Sequence, residues 1–451
     1  MIWGMSDFRT YLDALRRAGQ LVHIDKPVSP EYEIAAFVRK SSDTEGPAFV
    51  FENVMGHQGW KVAAGLYGTM ARLPVALGCP MARVVDRYGE AVRKPIAPRR
   101  VATGACQEVV LTGEDADCTK LPLVVHSELD AGRYLTAGVM FGRDPETGVL
   151  GVGVQRMQLK GPRRFGVNMP PERRVGRAAL KAEERGERFG VAIALGAGPF
   201  VDLGSQAKIP HAQEKLGVAG GLAGRPIDLV ACKTVDVEVP ADAEIVIEGF
   251  FLPNVREPEG PFGEVAGTYG LRDDRHVFEV SAITMRRDAM YQTALTGMPT
   301  TDNHVQAWPS VCESIKRVAQ QACPEVVDVH AIGPYYFAIV SIKKRLAYEA
   351  RNVILSVLGA TAGAPQAKYC IVVDPDVNVR DLNQVLWAVY TRCQPSADVM
   401  IFPPMVGAPL DPSAPVHRHS SKMGFDATVP LGESRERYTR VIVPGADQIS
   451  W

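Results

Sequence analysis

Pro258-Glu259-Gly260-Pro261-Phe262-Gly263-Glu264 sets two acids on a segment punctuated by two prolines and two glycines. Proline fixes φ and glycine permits positive φ, so the stretch reads as a shaped loop rather than a helix. Taken alone, it is a rigid turn carrying two solvated acids. A second segment upstream changes that reading. Val152-Gly153-Val154-Gln155-Arg156-Met157-Gln158-Leu159 reads as a strand with one arginine among apolar neighbours. An arginine in that setting wants carboxylate partners, and its planar fork holds two.

Near the C-terminus stands Ser421-Lys422-Met423-Gly424-Phe425-Asp426-Ala427. The three segments together resemble the UbiD family of reversible (de)carboxylases, which use prenylated flavin mononucleotide. That family carries an N-x-x-I-x-R segment, an E-G-P-F/Y-G-E/D loop and an S-K-M-G-x-D-A stretch. Here these positions are Gly151 to Arg156, Glu259 to Glu264 and Ser421 to Ala427, in the same order. Three ordered motifs specify far more than any one of them.

Composition is compatible with this. A chain of 451 residues with 46% hydrophobic content implies two or three domains with sizeable cores. The net charge of −1, without long runs of one sign, argues against nucleic acid or an anionic membrane as main partner. No apolar run of membrane-spanning length occurs, and Met1 to Asp7 lacks a secretory signal pattern, so a cytoplasmic protein is expected. The eight cysteines are scattered without a C-x-x-C pair and read as small buried hydrophobes.

Along the chain, Asp7 caps a helix from Phe8 to Ala18. Strand Leu21–Ile24, a helix from Tyr32 to Arg39 and strands at Ala48–Phe51 and Lys61–Leu66 complete an α/β domain over residues 1–105, ending in the linker Lys94 to Arg100. From residue 106 to 305 short β segments follow one another, interrupted by a helix near Arg177 to Gly186. Residues 306–451 open with a linking helix, Trp308 to Ala322, and then alternate β and α. Asp374 to Asp381 lacks the glycine and closing glutamate of a calcium loop. The expected class is α/β (α+β), and the resemblance implies a split β-barrel that binds flavin in the centre and a C-terminal domain that pairs two copies.

Decarboxylation needs an electron sink, a cation to orient the carboxylate and an acid to return a proton. No side chain supplies the sink, which implies a cofactor. The resemblance assigns Arg156, Glu259 and Glu264 to the catalytic network, with Arg156 orienting the carboxylate, Glu264 donating the proton and Glu259 holding Arg156. It places Val154, Gln155, Asn168 and Met169 along the flavin and Lys422 at its phosphate. It puts His304 and Asn303 near the substrate, where Asp302 and Asn303 read equally well as a helix cap. His126, in the family-like segment His126 to Tyr134, reads as structural or as supporting the site from behind; His211 stands near Glu214 as a metal candidate, and His417 and His419 lie just before Lys422, within reach of the cofactor.

The chain departs from the family at the metal. Relatives hold manganese, with potassium nearby, against the phosphate through an asparagine, a histidine and a glutamate. The asparagine position is Gly151, no histidine occurs in Pro170 to Arg174, and the glutamate position falls on Lys215, with Glu214 beside it. Either a hard cation uses Glu214, Glu172 and other oxygens, or Lys215 and Arg173 supply the missing charge.

The expected function is reversible decarboxylation of an aromatic, heteroaromatic or α,β-unsaturated acid, with a flavin prenyltransferase as cofactor supplier and a homodimer as the assembly. The alternative is a non-catalytic subunit of a UbiD-type complex. An ordinary flavin oxidoreductase is disfavoured, since no G-x-G-x-x-G follows a strand.

Overall fold

The computed structural model describes residues 7–360, 367–445 and 449. Its contacts divide the chain into two units, 1–313 and 314–451.

In the first unit, helix Phe8–Arg17 starts at a capping box, with Asp7 and Thr10 bonded reciprocally. Its buried face is Phe8, Tyr11, Leu12 and Leu15. Strands Leu21–Ile24, Ala48–Phe51 and Lys61–Ala64 form a sheet completed by Met290–Thr293, which runs parallel to Lys61–Ala64. A strand from the far end of the 106–305 stretch thus belongs to the N-terminal sheet. The expected linker is likewise built in: Arg99–Arg100 pairs with Asp228–Ala231, and Ile96 N–H donates to the Gly217 carbonyl at 2.9 Å.

The central sheet has nine strands, all paired antiparallel. Their order begins Tyr134–Leu135, Met157–Gly161, Arg164–Val167, Asp273–Met285, Ile245–Glu259 and ends Phe189–Leu195, Val139–Arg143, Leu150–Val154. Val109–Thr112 also pairs with Asp273–Met285. Leu150–Val154 closes one end of this order and Met157–Gly161 lies next to the other end, yet only Gln155 and Arg156 join them. Two linking residues span at most about 11 Å. The sheet therefore curls until its ends nearly meet, which makes a split barrel with Arg156 at the seam. Its interior holds Met140, Phe165, Val191, Ile193, Ile247 and Phe278 within one apolar cluster. Gly249 permits the crossing of the two longest strands, since a Cβ there would fall 2.1 Å from the Glu279 carbonyl oxygen.

Three expectations about this unit change. The single strand Val152 to Leu159 is two strands, because the chain must turn the seam at Arg156. The acid-bearing loop is partly strand: Glu259 ends the fifteen-residue strand Ile245–Glu259, and Phe262–Gly263 pairs with Tyr269–Gly270. The helix expected from Arg177 runs Arg174–Glu184, and helices Arg72–Leu77, Val84–Arg93, Pro199–Ser205 and Lys215–Ala223 are additional to the expected elements.

The second unit is a five-stranded mixed sheet ordered Val326–Ile332, Phe337–Ile342, Tyr369–Val373, His419–Ala427, Val399–Val406. Its middle strands are parallel, linked through helices Glu349–Gly359 and Leu382–Arg392. Asp374 is buried and paired with Arg392 at 2.9 Å, which is what occupies the acidic loop. Helix Asp302–Ala322 begins six residues before its expected start at Trp308 and includes Pro309.

Candidate active site

The barrel seam fixes Arg156. Its Nε donates to Glu259 Oε1 at 2.9 Å and its Nη2 to Oε2 at 2.8 Å, a bidentate pair. Glu259 is fully buried. Nη1 forms an ion pair with Glu264 Oε1. The Glu259 side chain is 0% exposed, Arg156 9% and Glu264 14%, so Glu264 is the member that reaches outward. The guanidinium carbon lies 5.2 Å from the Phe262 ring centre, and Phe262 in turn packs on Tyr134 at 4.4 Å. One face of the site is thereby apolar, and the cation stacks on an aromatic face.

The loop is held from several sides. Gly263 N–H donates to Asp130 Oδ1 and Ser127 N–H to Asp130 Oδ2, each at 2.9 Å. Burial pushes the Asp130 carboxyl up, against the pull of these N–H groups. Gly260 N–H donates to Gln158 Oε1 at 3.2 Å, and Lys160 Nζ to the Pro258 carbonyl at 2.6 Å. Gly270 lets the second small strand approach: a Cβ there would lie 3.0 Å from Glu264 Oε1 and 3.2 Å from Arg156 Nη1. Asp130, Gln158 and Gly270 carry no motif of their own and were missed in the sequence. The family-like stretch around His126 was the available signal for Asp130.

His304 plays a different part from the one expected. Its Nε2 meets the Val265 carbonyl at 2.9 Å, and its Nδ1 meets Thr301 N–H and Oγ1. Both ring nitrogens are thus used within the protein, and the imidazole anchors the residue after Glu264. Burial lowers its pKa to about 4, so it is neutral near pH 7. Asn303 is half-buried in the first turn of the same helix. Asp302 does not cap that helix: its carboxylate accepts from Tyr67 N–H at 2.8 Å and Leu295 N–H at 3.0 Å. His126 is structural, buried with Nε2 2.8 Å from Thr293 Oγ1.

Val154 is half-buried at the end of its strand, Asn168 half-buried just past Arg164–Val167, and Gln155 and Met169 are buried beside them. Lys422 belongs to the second unit and is not a solvated turn residue. It is 2% exposed on strand His419–Ala427, with Nζ donating to the Leu358 carbonyl at 2.6 Å.

The metal positions do not fit a divalent ion. Glu214 is exposed at the start of helix Lys215–Ala223, and Glu172 is exposed too. Among the described residues no three histidine, cysteine or carboxylate groups come together as ligands. At Gly151 a Cβ would lie 3.1 Å from the Gly142 carbonyl oxygen and 3.5 Å from the Arg174 backbone, leaving an asparagine little room.

Comparison with known proteins agrees with this architecture. Residues 12–92, 99–299 and 309–427 match the N-terminal, Rift-related and C-terminal domains of the UbiD family, described as 3-octaprenyl-4-hydroxybenzoate carboxy-lyase. The UbiD-class enzyme HmfF of Pelotomaculum thermopropionicum, solved in complex with FMN, is 37% identical, with 98% of this chain and 99% of that one covered and a TM-score of 0.90. The vanillic acid decarboxylase of Sedimentibacter hydroxybenzoicus, in its closed form, is 30% identical over 98% of this chain and 97% of that one, with a TM-score of 0.87. A 3,4-dihydroxybenzoic acid decarboxylase of Enterobacter cloacae is 28% identical over 99% of both chains, with a TM-score of 0.89. Domain matches along the whole chain and a full-length likeness at this identity make the protein a member of the UbiD family of carboxy-lyases.

Proposed function

We propose that the chain catalyses reversible, non-oxidative decarboxylation of an aromatic, heteroaromatic or α,β-unsaturated carboxylic acid, with prenylated flavin mononucleotide as cofactor. The observation that supports this most is Arg156, gripped on one edge by buried Glu259 and met on another by Glu264. The decarboxylases of vanillic and 3,4-dihydroxybenzoic acid among the relatives favour an aromatic substrate. A second HmfF structure, of an evolved dimeric form, holds the prenylated flavin.

When bound, the prenylated flavin supplies the electron sink that no side chain offers. Val154 and Asn168, with Gln155 and Met169 behind them, are its wall in this reading. A flavin prenyltransferase supplies it.

Arg156 has five N–H donors, and three are directed at the two glutamates. The other two are left to orient the substrate carboxylate. Glu259 keeps the fork in one plane and makes the buried charge tolerable. When the carbon–carbon bond breaks, CO2 departs and the electron pair stays on the substrate carbon. Glu264 then delivers a proton to that carbon, and in the reverse direction removes it. Phe262 and Tyr134 keep water from this face. The intact network favours a catalytic chain over a non-catalytic subunit.

Glu264→Gln keeps size and hydrogen bonding but cannot deliver a proton. Steady-state release of decarboxylated product should fall by about a hundredfold or more, and solvent deuterium exchange into the product should fall with it. Deuterium exchange at the wild-type rate would assign the proton to another group.

A further inference from the structure

Glu264 is the acid of the network whose side chain reaches furthest out, with 14% of it exposed. Glu259 is gripped through both of its oxygens, whereas the ion pair of Glu264 runs through Oε1. Where Glu264 stands is therefore set largely by the backbone that carries it. That backbone is tied at several points. Glu264 N–H donates to the Thr268 carbonyl at 2.9 Å, and Gly267 N–H donates to the Glu264 carbonyl at 3.0 Å. On one side the Val265 carbonyl meets His304 Nε2 at 2.9 Å. On the other side the tie is Asp130, whose Oδ1 accepts from Gly263 N–H at 2.9 Å.

Asp130 is itself held still. Its N–H donates to the Ser127 carbonyl at 3.0 Å and its Oδ2 accepts from Ser127 N–H at 2.9 Å, so the turn from Ser127 to Asp130 is closed twice. The next residue, Ala131, donates its N–H to the Pro261 carbonyl at 2.9 Å. The Ala131 carbonyl accepts from Gln158 Nε2, and Gln158 Oε1 accepts from Gly260 N–H. Leu129 N–H donates to the Tyr269 hydroxyl oxygen at 3.3 Å. The turn is thus bonded, directly or through Gln158, to Gly260, Pro261, Gly263 and Tyr269. Consecutive Cα atoms lie about 3.8 Å apart, so a shift of Gly263 passes on to Glu264. The glycine allows this approach: a Cβ at Gly263 would lie 3.2 Å from Ser127 Oγ and 3.8 Å from Asp130 Oδ1.

The pair of N–H groups also accounts for the residue type. A carboxylate accepts at both oxygens, whereas an asparagine would turn its NH2 towards one of the two donors. Burial opposes the charged form of Asp130, and these N–H groups and Arg156 favour it.

We propose that Asp130 is a positioning residue for the proton donor: its carboxylate, fixed on the turn from Ser127 to Asp130, sets the place of Glu264 relative to Arg156 and the substrate carbon. This rests on the reading of Glu264 given above.

The test is Asp130→Asn in holoenzyme from cells that also make a flavin prenyltransferase. The acids assayed are para-hydroxybenzoate, furoate and cinnamate, one from each proposed class. With flavin content equalised, kcat should fall by about tenfold to a hundredfold, the scale of a catalytic group misplaced by up to about 1 Å, while KM changes by less than about twofold. Solvent deuterium exchange into the product should fall with kcat. Because the effect runs through Glu264, adding Asp130→Asn to Glu264→Gln should cost less than about twofold more. A merely structural role would cost the same in both backgrounds. If Asp130→Asn does not fold, Gly263→Ala presses on the same joint and should show the same split and the same non-additivity. Apart from activity, amide hydrogen exchange of residues 260–270 in the flavin-free chain should quicken by about tenfold in Asp130→Asn, while helix Phe8–Arg17 exchanges as in wild type. The proposal is overturned if Asp130→Asn keeps the wild-type kcat, or if it costs as much beside Glu264→Gln as alone. If wild type turns over none of the three acids, the decarboxylase reading fails, and hydrogen exchange decides. Faster exchange in the loop then keeps Asp130 as the group that places Glu264, and unchanged exchange ends the proposal.

Discussion

Arg156 and Glu259 are bound to each other energetically as well as geometrically. Arg156→Ala would strand a carboxylate that has no exposure, at a cost of about 3–5 kcal/mol. Loss of activity in that variant would therefore mix folding with chemistry. Arg156→Lys is the cleaner change, because it keeps the charge and loses the fork. It should stay folded while kcat/KM falls by about a hundredfold, the scale of one preorganised electrostatic contact. A near-wild-type kcat/KM would remove the fork from the mechanism. Gly270→Ala tests the approach of the second strand. Its Cβ would press on both Glu264 and Arg156, so kcat should fall while the urea midpoint moves little. Glu259, Arg156 and Glu264 were legible because their spacing is a motif. Gly270 was not, since nothing in sequence tells that the fold brings it against Arg156, more than a hundred positions away.

At the scale of elements, Lys422 shows how a motif residue can carry a structural load. Its ammonium bonds the Leu358 carbonyl in the last turn of helix Glu349–Gly359, where helix carbonyls lack partners and the dipole favours a cation. Lys422→Ala should destabilise the chain by about 1.5–3 kcal/mol, read from urea unfolding of the flavin-free protein. If flavin retention falls while that stability is unchanged, Lys422 serves the phosphate and not the helix. Lys215–Ala223 reads KLGVAGGLA, with neither a polar face nor a capping side chain, so periodicity gave no signal for it. Packing supplies the reason for its glycines: a Cβ at Gly220 would lie 2.3 Å from the Ile96 carbonyl oxygen, and one at Gly221 2.9 Å from that of Ala91.

For the whole molecule, buried histidines set the acid limit. Burial holds His126, His276 and His304 at pKa values of about 4. In the unfolded chain each takes up a proton near pH 6.5, while the folded chain resists until about 4. Their stabilisation is complete above about 6.5 and is lost as pH falls towards 4. Asp202, raised to about 7 by burial, works the other way: its contribution is complete below about 3.8 and is lost as pH rises through 7. His330 is held at about 4 as well, and the four histidines outweigh Asp202 and the smaller upward shifts of Asp130, Asp242 and Asp302, so the urea midpoint should be lower at about pH 5 than at about pH 7. An equal or higher midpoint at pH 5 would contradict the neutral state of these imidazoles. In the second unit Leu382, Leu386 and Tyr390 are exposed at successive helical turns. If this face pairs two copies, as expected for the C-terminal domain, Leu386→Asp should yield monomers in sedimentation while wild type stays dimeric.

The sequence by itself determined the mixed α/β class, the family and the three charged residues of the network, because each rests on local pattern or motif spacing. It also exposed two places where the resemblance implies a metal ligand and none stands, Gly151 and the histidine-free stretch Pro170 to Arg174, since a side chain that is absent cannot ligate in any fold. Only the tertiary structure decided that Val152 to Leu159 breaks at Arg156, because a barrel seam is a relation between strands at opposite ends of a sheet. Only it decided that His304 bonds Val265 and Thr301, and that Lys422 bonds the Leu358 carbonyl. Contacts between distant segments are set by how sheets curl and helices pack, and no local spacing of residues encodes them.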